Sequence, residues 1–226
     1  MRTIAANKTF SALAILSLAL GIGANTAIYS FMESILLRSL PVSDPASLVM
    51  LNWRANALGR DSVIQHSHGS GYKDPNSGFT SDIFPFAAFE LLQKFDQVFS
   101  SVFGYYEAGD LDLTIQGQAD VAHGEFVTGD YFRGLGIRPA AGRLLLPDDD
   151  RAGAPAVAVV SRAFSERRFG GPANAAGHSI LINTVPFTVV GVTPPEFFGV
   201  DPKATPDFYL PMHTSLLLPD PRPPAD

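Results

Sequence analysis

Apolar residues are distributed along this chain in three regimes. From Phe10 to Met32 the sequence FSALAILSLALGIGANTAIYSFM is apolar almost throughout, with no charge between Lys8 and Glu33. A helix of that length covers roughly 30 Å of hydrocarbon, so a transmembrane helix is expected, with its extension bounding residues 10–37. A cleaved signal peptide is the competing reading, because Ala24-Asn25-Thr26-Ala27 offers small residues for a cut. Apolar character resumes beyond that point in Ile28, Tyr29, Phe31, Met32, Ile35, Leu36 and Leu37, which favours an uncleaved span.

The second regime alternates. Leu40-Pro41 and Asp44-Pro45 end the helix, since neither proline can continue it. Leu48–Trp53 reads as a first strand, and Ala55–Phe79, rich in Gly, as a long exposed loop or irregular insertion. Ile83, Phe84, Ala87, Ala88, Leu91, Leu92 and Phe95 recur at three and four, predicting an amphipathic helix capped by Thr80 or Ser81 and running to Phe99. Val102–Tyr106, Leu111–Ile115 and Ala119–Val127 are expected strands, and a short helix from Asp130 ends at Gly136. Ala156–Val160 is a continuous apolar strand, after which Ser161 caps a helix that Gly170-Gly171-Pro172 stops. Ser179–Ile182 and Phe187–Val192 flank a turn at Asn183, the signature of a hairpin, and Phe208–Pro211 is the last strand. Hairpins mixed with helices make the class α+β, with a largely antiparallel or mixed sheet.

The third regime is Leu216-Leu217-Leu218 followed by Pro219, Pro221, Pro223 and Pro224. Residues 215–226 are expected to form a disordered Pro-rich tail.

Charge adds orientation. Of 16 basic residues three lie within 1–38, against one of the 22 acidic ones, so the remainder is more acidic than the net −6 of the whole. Such a balance argues against a nucleic-acid partner. Arg2 and Lys8 precede the span without an acid, whereas Glu33 and Asp44 follow it with only Arg38. The N-terminus, residues 1–9, is therefore expected in the cytoplasm and everything after about Leu40 outside the inner membrane.

Inside the span, Gly21, Gly23, Asn25 and Thr26 are costly against lipid and are expected to pack against other helices: the glycines allow close approach, and Asn25 and Thr26 can bond across an interface. Gly21-Ile22-Gly23 is no nucleotide loop, because no Lys-Ser/Thr follows.

Little catalytic chemistry is legible. The absence of cysteine excludes disulfides, thiolate metal sites and cysteine nucleophiles. His66 and His68, with Asp61 or Asp74, lack a third ligand at fixed spacing and read as an exposed loop. His123, His178 and His213 stand isolated, and Asp148-Asp149-Asp150 lacks the alternating spacing of a calcium loop and reads as a solvated acidic turn. Glu90, Glu107, Asp110 and Asp112 form no recognisable carboxylate pair, and Ser161 has no Gly-x-Ser-x-Gly elbow. No catalytic, cofactor-binding or metal residue is expected.

A resemblance runs through nearly the whole chain. Asn7-Lys8-Thr9-Phe10, Leu18 to Ile28 and Leu36-Leu37-Arg38-Ser39-Leu40-Pro41 resemble the first membrane helix of MacB/FtsX-like ABC transporter permeases, most closely the acidobacterial-type duplicated branch. The similarity continues through Gly129-Asp130-Tyr131-Phe132, Leu135 to Arg143, Asp148-Asp149-Asp150, Phe169-Gly170-Gly171-Pro172, Ile180 to Asn183, Phe187 to Val192 and Pro195 to Gly199. The resemblance implies a MacB-like periplasmic core domain over 41–214, with a porter-like layer and an inserted smaller subdomain. It also implies a non-catalytic permease component whose partners are the membrane, other permease helices or subunits, a separate ATP-binding subunit and a periplasmic adaptor protein. Further membrane helices of such permeases are not found here, so an N-terminal fragment is expected. The alternative is a membrane-anchored extracytoplasmic binding module unrelated to transport.

Overall fold

The computed structural model describes residues 8–36, 40–55, 71–75, 78–95, 97–201 and 204–218. The chain divides into two units, 1–40 and 41–226. The first is helix α1 (Lys8–Leu36), whose stretch Thr9–Ser30 is long and apolar enough to cross a membrane.

The second unit holds two sheets. β1 (Trp53–Ala55), β2 (Gly71–Asp74) and β3 (Gly78–Ser81) form a small antiparallel sheet in the order β1-β3-β2. Helix α2 (Phe86–Leu92) follows. The long strands β4 (Tyr105–Ile115) and β5 (Gln118–Val127) lead to the one-turn helix α3 (Tyr131–Gly134) and to β6 (Ala141–Gly142). Then come β7 (Val157–Val160), α4 (Arg162–Phe169), α5 (Pro172–Ala175), β8 (Ser179–Ile182), β9 (Val185–Val192) and β10 (Phe208–Pro211). The second sheet runs β6-β9-β7-β10-β5-β4-β8, and β8 returns to pair with β9. β10 lies parallel to β5 and antiparallel to β7, and β7 is parallel to β9, so the sheet is mixed as expected.

Local chemistry explains most elements. Ser161 Oγ accepts from the Phe164 amide and Gly170 ends α4 at φ +72°, a left-handed geometry that suits glycine. The β8–β9 turn places Asn183 and Thr184 at φ 45° and 70°, and Asn183 Oδ1 accepts from the Asp112 amide at 3.0 Å, tying the hairpin to β4. β7 is buried on both faces because each face carries a core. Ala158 and Val160 join Phe164, Phe187, Phe208 and Leu210 in one, while Val157 and Val159 join Tyr131, Phe132, Phe197 and Tyr209 in the other.

Several expectations are corrected. Thr80 and Ser81 are strand residues paired with Arg54 and Trp53, and do not cap a helix. Pro85 is the cause: it biases Phe84 to extended backbone and sits at the N-cap itself, so α2 begins only at Phe86 and none of its residues is buried. Within the expected insertion 55–79, two strands form a hairpin, and Leu48–Asn52 lies outside the ladder that starts at Trp53. β4 is one strand where two were expected; the register shifts between Glu107 and Gly109, and Gly109 takes φ +73°, so a bulge carries the strand past the glycine. Residues 212–216 form a 3-10 turn and Leu218 packs against the first core, so the described part of the expected tail is ordered. Residues 219–226 lie outside the described residues.

Candidate functional site

The packing residues expected in α1 fall on two faces. At about 100° per residue, Gly21 and Asn25 are separated by about 40° on one side, while Gly23 and Thr26, about 60° apart, lie on the other. A Cβ placed at Gly21 or Gly23 meets nothing within 4 Å, and every residue from Ala12 to Ser30 is exposed. Thr26 Oγ1 donates to the Ile22 carbonyl at 2.8 Å, which satisfies its proton within the helix and leaves the oxygen able to accept.

In the second unit the notable chemistry is a carboxyl inside a strand. His123, Glu125 and Val127 alternate along one face of β5. Cross-strand, Glu125 faces Glu107 on β4 and Tyr209 on β10. Glu125 is 3% exposed, and Tyr131 and Tyr209 are fully buried. The Tyr131 hydroxyl donates to Glu125 Oε2 at 3.4 Å. Around them Phe103, Phe132 and Phe197 pack on Tyr131 with ring centroids 5.2–6.3 Å apart. The Tyr209 hydroxyl is buried without a hydrogen-bond partner among the described residues.

This enclosure sets the proton affinity. Burial, opposed by the Tyr131 hydroxyl and reinforced by Asp201 and Glu107, pushes the Glu125 carboxyl up to about 8. Burial first, and the Glu125 carboxyl second, hold the hydroxyls of Tyr131 and Tyr209 well above the usual tyrosine range. The row ends at a cleft of about 430 Å³ lined by Glu107, His123, Asp201, Ala204 and Thr205.

The sequence offers only one signal for this cluster, an acid in an apolar strand, and that pattern alone predicts a strand and no site. His123 is not isolated: the β4–β5 ladder brings Glu107 to 3.3 Å and Asp110 to 3.2 Å from its ring. His213 likewise meets Asp150 at 3.2 Å, while His178 packs on Phe169. The expected solvated acidic turn is partly internal. Asp149 grips Arg143 through two bonds of 2.5 and 2.8 Å, and Asp150 accepts from the amides of Gly129 and His213. Only Asp148 is solvated, paired with Arg151. Asp61, His66 and His68 lie outside the described residues, as does the side chain of Asp74. Among the described residues, no group of three or more His, Cys, Asp or Glu is arranged to hold a metal ion.

The profile of the MacB-like periplasmic core domain matches residues 11–222. No curated protein matches the chain. Among solved structures, the periplasmic region of MacB from Actinobacillus actinomycetemcomitans is 21% identical at a TM-score of 0.47, over 58% of this chain and 56% of that one. The extracellular domain of the noncanonical ABC-type transporter YknZ from Gram-positive bacteria is 14% identical at 0.40, over 50% and 54%. A domain of a permease protein from Porphyromonas gingivalis is 15% identical at 0.37, over 51% and 50%. The chain therefore spans about half the length of these solved structures. With a profile match that runs through α1 and both sheets, the chain belongs to the MacB-like periplasmic core domain family.

Proposed function

We propose that this chain is the anchored extracytoplasmic part of an ABC transporter permease, in which α1 crosses the inner membrane with its N-terminus in the cytoplasm and residues 41–214 act in the periplasm. The observation that carries this reading is α1 itself: an apolar span over Thr9–Ser30, none of it buried by protein, in a chain whose family match begins within that helix. Side chains such as Leu13, Ile15, Leu16 and Leu20 are 60–76% exposed, and lipid is the environment that removes this apolar surface from water. Washing membranes at alkaline pH tests it. The chain is expected to stay in the pellet, and release into the soluble fraction would refute the anchor.

The role of the domain is non-catalytic: it relays conformational change or contacts a periplasmic adaptor protein. In this reading ATP hydrolysis falls to a separate ATP-binding subunit; residues 1–226 hold no G-x-x-x-x-G-K-[ST] loop. Co-purification of an ATPase from the native membrane supports this arrangement, whereas an anchored binding module unrelated to transport brings none.

Within the membrane, the two faces of α1 are read as contacts with neighbouring permease helices. Replacing Asn25 with Leu is expected to leave insertion intact and to weaken helix association by about 0.6–2 kcal/mol. Crosslinking from Ile28, one turn along the same face, measures this; unchanged yields would place Asn25 at the headgroups.

A further inference from the structure

Two acids are buried among the described residues, Asp149 and Glu125. Asp149 has the Arg143 guanidinium. Among the described residues Glu125 has one tyrosine hydroxyl, and the charges that act on it, Asp201 and Glu107, are negative. A carboxylate in such surroundings lacks compensation, whereas the acid form is neutral and fits an aromatic box.

What covers Glu125 is irregular backbone. Residues 193–201 join β9 to the stretch before β10 and contain neither strand nor helix. Phe197 packs on Phe132 and Tyr209 with centroids 5.8 and 5.7 Å apart. Gly199, at φ +95°, brings the backbone directly onto the polar centre: its Cβ position is 3.7 Å from Glu125 Oε2 and 3.8 Å from the hydroxyls of Tyr131 and Tyr209. With few ladder bonds to break, this stretch opens at lower cost than β5 or β10 beneath it.

We propose that Glu125 and the overlying residues 196–201 form a proton-operated latch, seated while Glu125 is protonated and opened to water when its proton leaves for solvent through the cleft beside Glu107 and His123. The groups facing Glu125 are Tyr105 and Glu107 from β4, His123 from β5, Tyr131 from α3, Tyr209 from β10 and Asp201 from the stretch itself. Among these, only Tyr131 and Tyr209 sit wholly inside, and Tyr131 alone donates to the carboxyl. Burial that pushes the carboxyl to about 8 sets the latch close to neutral pH. The ligand that operates the device is thus the proton, and its readout is the position of the Phe197–Gly199 backbone.

The test uses the full chain in detergent micelles, with hydrogen–deuterium exchange of peptides covering 196–201 corrected for the intrinsic pH dependence of exchange. Between about pH 6 and about pH 9 these amides are expected to exchange about tenfold faster, while those of β7 and β10 keep their protection. Glu125→Gln should abolish the pH response. Tyr131→Phe, which removes the donor to the carboxylate, should move the midpoint upward, and infrared absorption of the protonated carboxyl should disappear with the same midpoint. Four results would overturn the latch: equal pH profiles in wild type and Glu125→Gln, loosening of β7 and β10 together with 196–201, a midpoint lowered by Tyr131→Phe, or no protonated carboxyl at about pH 6.

Discussion

The segment 41–218 is expected to lose roughly 4 kcal/mol of stability as pH rises from about 5 to above 8, and Glu125→Gln is expected to remove most of that slope. The sign follows from where the proton is held. In the unfolded chain Glu125 gives up its proton near 4.5, whereas in the fold it keeps it until about 8. Between those values the folded state binds the extra proton, so stability is highest below the unfolded value and falls until the folded carboxyl also ionises. Gln reproduces the shape of the acid form and accepts from the Tyr131 hydroxyl without ionising, so the variant should match wild type near pH 5 and exceed it above pH 8. Urea unfolding across this range measures both curves. Parallel curves for the two proteins would show that Glu125 does not retain its proton in the fold.

Truncating Phe208 to Ala is expected to cost about 3–5 kcal/mol. The ring is wholly buried in the core shared by β5, β7, β8, β9 and α4. It lies across Gly124, its cross-strand partner on β5: a Cβ at position 124 comes within 2.6 Å of Phe208 Cε2 and 3.0 Å of Cζ. The ring is wholly buried and can yield only together with its core neighbours, so Gly124→Ala alone should destabilise by about 1–3 kcal/mol. In the double variant the new methyl occupies space the ring has vacated. Its cost should therefore be smaller than the two single costs together, by about 1 kcal/mol or more. Additive losses would mean that Gly124 and Phe208 do not share the space the structure gives them.

Which parts of this architecture were legible in the sequence depends on how local the cause is. Ser161 and Gly170 act on residues three and five positions away and Asn183 takes the left-handed backbone its own turn needs, so cap, stop and turn stand where the residue types place them. The helical spacing from Ile83 to Phe95 gives way because Pro85 outweighs it, and the strands expected on either side of Gly109 are one because nothing local distinguishes a bulge from a loop. The site around Glu125 was illegible for a different reason. Its members come from β4, β5, α3, β10 and the stretch before β10, brought together by ladders whose register no single segment encodes. The two faces of α1, in contrast, follow from helical geometry alone once the helix is granted.

The place of β10 has a consequence in time. Drawn from the end of the described chain, it lies between β5 and β7, so the β4–β5 hairpin and the β7–β9 region meet across a strand that is synthesised after both. Apart from β10, the strand pairing that joins them among the described residues is the short β4–β8 ladder at Leu113–Ile182 and Thr114–Leu181, continued by the Asn183–Asp112 bonds. Until Phe208–Pro211 has emerged, the flanks of β5 and β7 that it will occupy stay open, with Val159, Val160 and Phe126 uncovered along them. Pairings this distant in sequence close late, which makes arrival of the final strand, rather than formation of either hairpin, the event that commits the domain to its fold.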